Sequence, residues 1–225
     1  MNVLVFASRK GGAGKSTLAA HLATYIAEHS KSTLLIDGDP QGSLALWHRL
    51  RGEEQPTLKA GIRGLAQTLE KAERDGVEWV IVDTPPNASP VVAEAIRHAT
   101  LVVIPMRPGL FDLAAVRETI EIARELGKPY AVIINAAPTR RGRGDDPVVA
   151  DARGALDGLK APVWSGQITH RPEMTLSLSY GEGVKEYGAR SVGAEEIRQL
   201  WLALTRTVDA VQSAYRRREG RRASA

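Results

Sequence analysis

The sequence predicts an α/β fold: a mostly parallel twisted sheet with helices on both faces. Three observations carry the prediction. Short apolar runs of strand length alternate along the chain with stretches of helical period. That alternation implies strands joined by helical crossovers, which cover both faces of a parallel sheet. Several of the strand-length runs stop at a glycine or an acid. This places polar chemistry at the carboxyl ends of different strands, the edge at which open sheets of this kind bind ligands. At 225 residues the chain suits one such domain, over residues 1–215, followed by a basic, flexible tail over 216–225.

Composition narrows the classes of function. The chain has no cysteine, which excludes disulfides, thiolate catalysis and cysteine metal sites and fits a reducing compartment. His21, His29, His48, His98 and His170 are scattered, with no carboxylate cluster around any pair, so no zinc site is expected. No Gly-x-Ser-x-Gly elbow is present. The first apolar run is short and leads straight into a glycine loop, unlike a signal peptide. No apolar run reaches the length that crosses a membrane. The formal net charge is +4. Arg216, Arg217, Arg218, Arg221 and Arg222 stand against Glu219 alone, so the tail accounts for the whole excess and the body is near neutral.

In chain order, residues 3–7 read as a buried strand. Lys10-Gly11-Gly12-Ala13-Gly14-Lys15-Ser16-Thr17 follows, and then a helix with Leu18, Leu22, Tyr25 and Ile26 on one face. Strand, glycine loop and helix together make the setting of a phosphate-binding loop. The glycines allow the backbone to come close to an anion. The amides that open the helix favour negative charge. Lys15 supplies a point charge for the β- and γ-phosphates, and the Ser16 hydroxyl is placed to ligate Mg²⁺.

Residues 33–36 form a second strand, ending in Asp37-Gly38-Asp39-Pro40-Gln41. Alone this is a polar turn; beside a nucleotide its carboxylates can orient water or serve a metal's outer shell. Residues 43–50 read as a short helix containing Trp47, and 51–57 as a loop. Ile62, Leu65, Ala66 and Leu69 have helical spacing, so 58–74 reads as a surface helix closed by Asp75-Gly76. Residues 79–83 form an apolar strand ending in Asp83, followed by Thr84-Pro85-Pro86. This is the Walker B form, with Asp83 holding Mg²⁺ through a water.

Helices over 88–97 and 111–126 flank a strand over 101–105, and Asp112 reads most simply as an N-cap. Residues 130–134 form a strand that ends at Asn135. The loop Thr139-Arg140-Arg141-Gly142-Arg143-Gly144 is basic and flexible, either reaching phosphates or solvated. A helix over 147–159 and a short last strand over 162–164 follow. From 168 the chain is helical, broken at Gly181, Gly183 and Gly188. The final helix carries a continuous stripe of Ile197, Trp201, Leu204, Val208, Val211 and Tyr215 that fits packing on the sheet.

The glycine loop departs from the generic pattern: Arg9 stands where the first glycine would be, and Lys10 follows it. Lys-Gly-Gly-x-Gly-Lys-[Ser/Thr]-Thr resembles the deviant Walker A loop of the ParA/MinD group of ATPases. By that resemblance Lys10 crosses the interface of an ATP-sandwich homodimer to the partner's nucleotide, and Lys15 serves its own. Without it, Lys10 reads as an exposed loop charge. The string from Asp37 to Ser43 resembles the ParA switch I segment. This implies that Asp39 positions the attacking water and Asp37 supports the metal shell. The segment after Asp83 resembles switch II. Asn135 matches a position that often meets the adenine in this group; a satisfied turn asparagine is the alternative. Thr169-His170-Arg171-Pro172-Glu173 resembles the segment before the late helices of small, ParF-type ParA proteins. The resemblance covers nearly the whole chain and is most specific at 9–17, 37–43 and 80–86.

The resemblance implies a slow ATPase that uses ATP and Mg²⁺ and dimerises on ATP. Such a dimer binds DNA non-specifically and is triggered by a ParB-like or other adaptor protein. It would segregate or space a cargo along the nucleoid, in the cytoplasm. The expected DNA contacts are Arg190, Arg198, Arg216, Arg217, Arg218, Arg221 and Arg222. No N-terminal helix-turn-helix extension is seen, so no operator repression is expected. Two rivals remain. A MinD-like membrane switch needs a C-terminal amphipathic helix with bulky apolar residues. After Tyr215 this chain has no Leu, Ile, Phe or Trp, so no stable membrane association is expected. A metabolic ATPase or ligase on the same scaffold needs a substrate site that the sequence does not display, and the lack of cysteine tells against iron–sulfur handling.

Overall fold

The computed structural model describes residues 1–225 except 30, 31, 88, 141–143, 224 and 225, and except the side chains of 218–223. Six strands make one sheet: β1 (Asn2–Phe6), β2 (Thr33–Asp37), β3 (Thr57–Ala60), β4 (Trp79–Asp83), β5 (Leu101–Met106) and β6 (Tyr130–Ile134). Their order is β3-β2-β4-β1-β5-β6, and every neighbouring pair is parallel. The helices are α1 (Lys15–Glu28), α2 (Ser43–Arg51), α3 (Leu65–Arg74), α4 (Pro90–His98), α5 (Leu110–Glu125), α6 (Pro147–Gly158), α7 (Pro172–Ser179), α8 (Val184–Tyr187) and α9 (Val192–Ala223).

Successive side chains of a strand point to opposite faces, and here both faces are apolar. Leu4 and Phe6 of β1 join Leu35, Ile81, Val103 and Ile133 in a core with α1, α2, α7, α8 and α9. Val3 and Val5 join Ile36, Val80, Val82 and Ile104 in a second core with α3, α4, α5 and α6. On α9, Ile197, Trp201, Leu204 and Val208 are buried as the stripe requires, and Trp79 meets Trp201 edge-on with ring centroids 4.6 Å apart. Burial fades at Val211, and Tyr215 is exposed. The helix nevertheless continues to Ala223, where the sequence suggests a flexible tail from 216.

Three local expectations are corrected. Residues 57–60 are a strand rather than the start of a helix, because they complete the sheet edge along β2, from Leu34 opposite Thr57 to Asp37 opposite Ala60. Ile62 still reaches the second core, from the turn before α3. The last strand expected at 162–164 is reduced to a bridge between Val132 and Val163. Asp112 is not the N-cap of α5: Gly109 occupies that position, and Asp112 lies in the first turn with its carboxylate turned to the loop after β1. Of the expected helix over 88–97, Ala88 lies outside the described residues; within them α4 begins at Pro90, with Ser89 as its cap.

Candidate functional site

Register alone brings three strand ends together. Asp83 at the end of β4 lies between Phe6 of β1 and Asp37 of β2. The glycine loop leaves β1 immediately beyond Phe6 and turns into α1 at Lys15. Gly14 caps that helix at φ 94°, in the left-handed region, and a Cβ there would lie 2.0 Å from Asn135 Nδ2. Only glycine fits. Gly38 is required for a different reason: its amide donates to Asp83 O at 3.0 Å, and a Cβ would meet that oxygen at 2.5 Å.

Lys15 is buried, and its Nζ donates to Ser8 O at 3.4 Å and Lys10 O at 3.5 Å. These carbonyls curl the loop around the ammonium. Burial pushes its pKa down, while Asp83 and Asp39 pull it back up. Ser16 Oγ donates to Asp83 Oδ2 at 2.5 Å. Burial raises the Asp83 carboxyl to about 7 against the Ser16 hydrogen bond and Lys15, and Asp37 and Asp39 push the same way as burial. Burial also raises Asp37, although its carboxylate accepts from Ala45 N at 2.8 Å and Asp39 N at 3.3 Å. Asp39 is half-buried and accepts from Gln41 N at 3.0 Å.

Asp83 and Asp39 therefore act on one buried lysine, and Asp37 adds its charge beside Asp83. Asp83 Oδ1 is buried with no hydrogen-bond partner. An orphaned acceptor in an excess of negative charge fits a divalent cation or its bound water. Among the described residues no group of three or more His, Cys, Asp or Glu would hold a metal unaided. A cation here needs further oxygen ligands, which nucleotide phosphates provide. Gly11, Gly12, Gly14, Lys15, Ser16 and Thr17 line a cleft of about 610 Å³ with Asp39 and Arg107, a volume suited to a nucleotide. Ala13 is buried beneath the loop. A second hollow of about 870 Å³ lies beyond Asp39, between Lys59–Arg63 on one side and Pro85, Pro86, Asn87 and Ser89 on the other.

Asn135 is buried at the end of β6, and its Nδ2 donates to Ala13 O at 2.8 Å. In this structure it braces the glycine loop from below. Lys10 lies at the rim, over a third exposed, with its ammonium paired to the Asp112 carboxylate. Arg9 pairs with Glu118 on the same helix. Sequence reasoning missed Arg107 and the Asp112 contact. The available signal was position: both follow the end of β5, at the ligand edge of the sheet.

The candidate DNA arginines do not form one cluster. Arg190 is exposed ahead of α9, and Arg198 is exposed but held by Glu195 through two hydrogen bonds of 2.7 Å. Arg216 and Arg217 are exposed about 27 Å further along α9, at 1.5 Å per residue. The side chains of Arg218, Arg221 and Arg222 lie outside the described residues, as do residues 141–143 of the basic loop. Among the described residues no helix is long and apolar enough to cross a membrane.

The family model of the CobQ/CobB/MinD/ParA nucleotide-binding domain matches residues 4–184, which span the whole cleft. The chain belongs to this family. It is 30% identical to the chromosome-partitioning ATPase Soj of Thermus thermophilus, a match that covers 88% of this chain and 92% of Soj. It is 38% identical to a ParA protein of Rhizobium radiobacter over 129 residues, 56% of this chain and 57% of that one. Among solved structures, a Cyanothece McdA–ATP complex superposes with a TM-score of 0.68 at 18% identity and covers 96% of each chain. The doubly covered parallel sheet is thus the fold of ParA/MinD P-loop proteins, and the chain is a member of their nucleotide-binding ATPase group.

Proposed function

We propose that this chain is a ParA-like switch ATPase that dimerises on ATP, binds DNA without sequence preference and positions a cargo on the nucleoid. One observation carries the reading. Lys10 stands at the rim of a cleft that already has its own buried lysine, in a family of nucleotide-binding ATPases. Lys15 serves the β- and γ-phosphates of its own nucleotide, and Lys10 is free to leave Asp112 for a nucleotide held by a second copy.

The amides of residues 11–17 receive the phosphate oxygens. Ser16 would ligate Mg²⁺, Asp83 would hold it through a water, and Asp37 would support that shell; the ion would supply positive charge against the charge that develops as the terminal phosphoryl group departs. Asp39 positions the attacking water. Asn135 braces the loop from beneath, and an adenine contact by the same side chain is compatible with that role. The exposed arginines, above all those of α9, supply phosphate contacts in the dimer. A ParB-like or other adaptor stimulates hydrolysis and so releases DNA. The identity to Soj supports partition or positioning as the task.

The test pairs two variants. Lys10→Ala should bind nucleotide yet remain monomeric by light scattering with a slowly hydrolysed ATP analogue. Asp39→Ala should dimerise with plain ATP and persist as a dimer. Normal dimerisation of Lys10→Ala, or wild-type turnover by Asp39→Ala, removes the corresponding role.

A further inference from the structure

The amino edge of the sheet, opposite the nucleotide cleft, carries a second cationic hollow. It has a volume of about 420 Å³ and is lined by Thr100, Lys128, Gln212, Tyr215 and Arg216 together with the apolar Ala99 and Val211. These come from the turn into β5, the turn into β6 and the late part of α9. Among the described residues no carboxylate lines it. The polar framework is already committed: Thr100 Oγ1 accepts from Val3 N at 3.0 Å, and Gln212 Nε2 donates to Asn2 Oδ1 at 2.5 Å. The Gln212 contact ties α9 to the start of β1 and so holds Arg216, one turn later, over the hollow. Lys128 Nζ donates to Ala99 O at 3.3 Å and has further N–H donors to offer. Burial alone depresses its pKa, and no neighbouring acid pulls it back.

A half-buried ammonium without a counter-ion is costly, and an anion brought by a ligand removes the cost. We propose that this hollow is a site for a backbone phosphate of duplex DNA, with Lys128 as the inner cation and Arg216 as the outer one. The inference rests on the DNA-binding reading above and adds a residue outside α9 to it. Arginine offers a planar fork to phosphate oxygens, and lysine a compact charge that reaches into the recess. The site reads the phosphate backbone and not base edges, so it carries no sequence preference.

The experiment is a salt titration of the ATP-bound full chain on unrelated duplexes, for wild type, Lys128→Gln, Lys128→Arg and Arg216→Glu. Loss of the Lys128 charge should weaken binding about fivefold at 0.1 M salt and flatten the slope of log K against log salt by about 0.9. Lys128→Arg should restore both. Arg216→Glu changes a surface position that the fold does not need, and it should weaken binding at least as much. ATP-dependent dimerisation should be unchanged in all of them, because the hollow is on the far edge from the cleft. If wild type binds DNA while Lys128→Gln and Arg216→Glu keep its affinity and slope, the site is wrong and the DNA reading stands. If Lys128→Arg fails to rescue, Lys128 is only a cap on the end of α4, and the site is again overturned. If wild type binds no DNA, both fall. Preferential Lys128-dependent binding to phosphatidylglycerol vesicles would transfer the hollow to lipid and end the DNA assignment.

Discussion

The two edges of one sheet hold lysines in opposite electrostatic settings. At the carboxyl edge Lys15 is buried under loop carbonyls; burial lowers its pKa, and Asp83 and Asp39 offset part of that. At the amino edge Lys128 is half-buried and only desolvation acts on it. At the first edge Asp37, Asp39 and Asp83 outnumber the one buried cation, Lys15, so an anionic ligand there is best balanced with a metal ion. Among the described residues the second has cations alone, so an anion fits without help. On the proposed readings the same fold would hold a metal-dependent phosphate site and a metal-free one on opposite sides, and each way of perturbing them separates the two.

The largest effect belongs to the carboxyl edge. Lys15→Ala removes the one buried cation among three carboxylates. Nucleotide affinity should fall roughly a thousandfold, about 4 kcal/mol. Calorimetry with ATP and Mg²⁺ measures it, and a loss under tenfold would show that Lys15 does not meet the phosphates. Gly14→Ala should do comparable damage by another route, since the new methyl collides with Asn135 at a left-handed position.

Next comes the wall of the cleft. His21 is fully buried on α1, with Nε2 3.0 Å from Met174 O and Nδ1 accepting from Val184 N at 3.1 Å. It joins α1 to α7 and α8, and Thr175, Leu178 and Ser179 of α7 line the cleft. Both contacts together require the neutral ring with its proton on Nε2. Burial pulls its pKa from 6.5 to about 4, against the Met174 hydrogen bond and Glu186. The folded pKa is below the unfolded one, so this contribution is complete above pH 6.5 and is lost as pH falls toward 4. The ceiling is about 3 kcal/mol. Denaturant melts from pH 7.5 to 4 should show the decline, and His21→Gln should flatten it. Hydrogen exchange at low pH should open α7 and α8 before the amino edge. Equal loosening at both edges would contradict the assignment.

What was legible in the sequence follows the same division. Gly12 and Gly14 in left-handed conformations, and Asp37 and Asp83 at paired strand ends, are demands that fall on contiguous residues. A short string therefore announces the loop, the fold and most of the site. β3 escaped because a four-residue, half-exposed edge strand has no apolar signature, and Ile62 beyond it imitates helical spacing. The Lys10–Asp112 and Asn135–Ala13 contacts join residues more than a hundred positions apart and leave no local pattern. The amino-edge hollow is assembled from three distant segments. The run after Tyr215 suggests a tail by its charge, yet it is helical to Ala223: Arg, Glu and Ala favour helix, and Gly220 is the one weak residue before the helix ends.

A smaller effect tests the brace. Asn135→Ala deletes the donor to Ala13 O and leaves that carbonyl unpaired, a cost of about 1–2 kcal/mol and roughly tenfold in affinity for any nucleotide. Asn135→Asp should be worse, because a carboxylate oxygen replaces the amide donor. Binding of ATP, GTP and inorganic triphosphate to these variants separates the roles. A brace weakens all three alike, and an adenine contact weakens ATP alone.

The smallest expected effect concerns the middle of α9. Arg198 is exposed, but both of its hydrogen bonds go to Glu195, one turn earlier. Its charge is locally balanced, so phosphate would gain little from it. Arg198→Gln should change DNA affinity by less than about twofold and leave the salt slope within about 0.3 of wild type. Glu195→Gln should act the other way: freeing Arg198 adds one available cation and should steepen the slope by up to about 0.9. The same filter-binding titration that tests Lys128 reads both variants. If Arg198→Gln weakens binding as strongly as Arg216→Glu, the DNA lies along the whole of α9 and the Glu195 pair breaks on binding. The amino-edge hollow would then be one contact in a longer track rather than the place where unbalanced charge gathers the backbone.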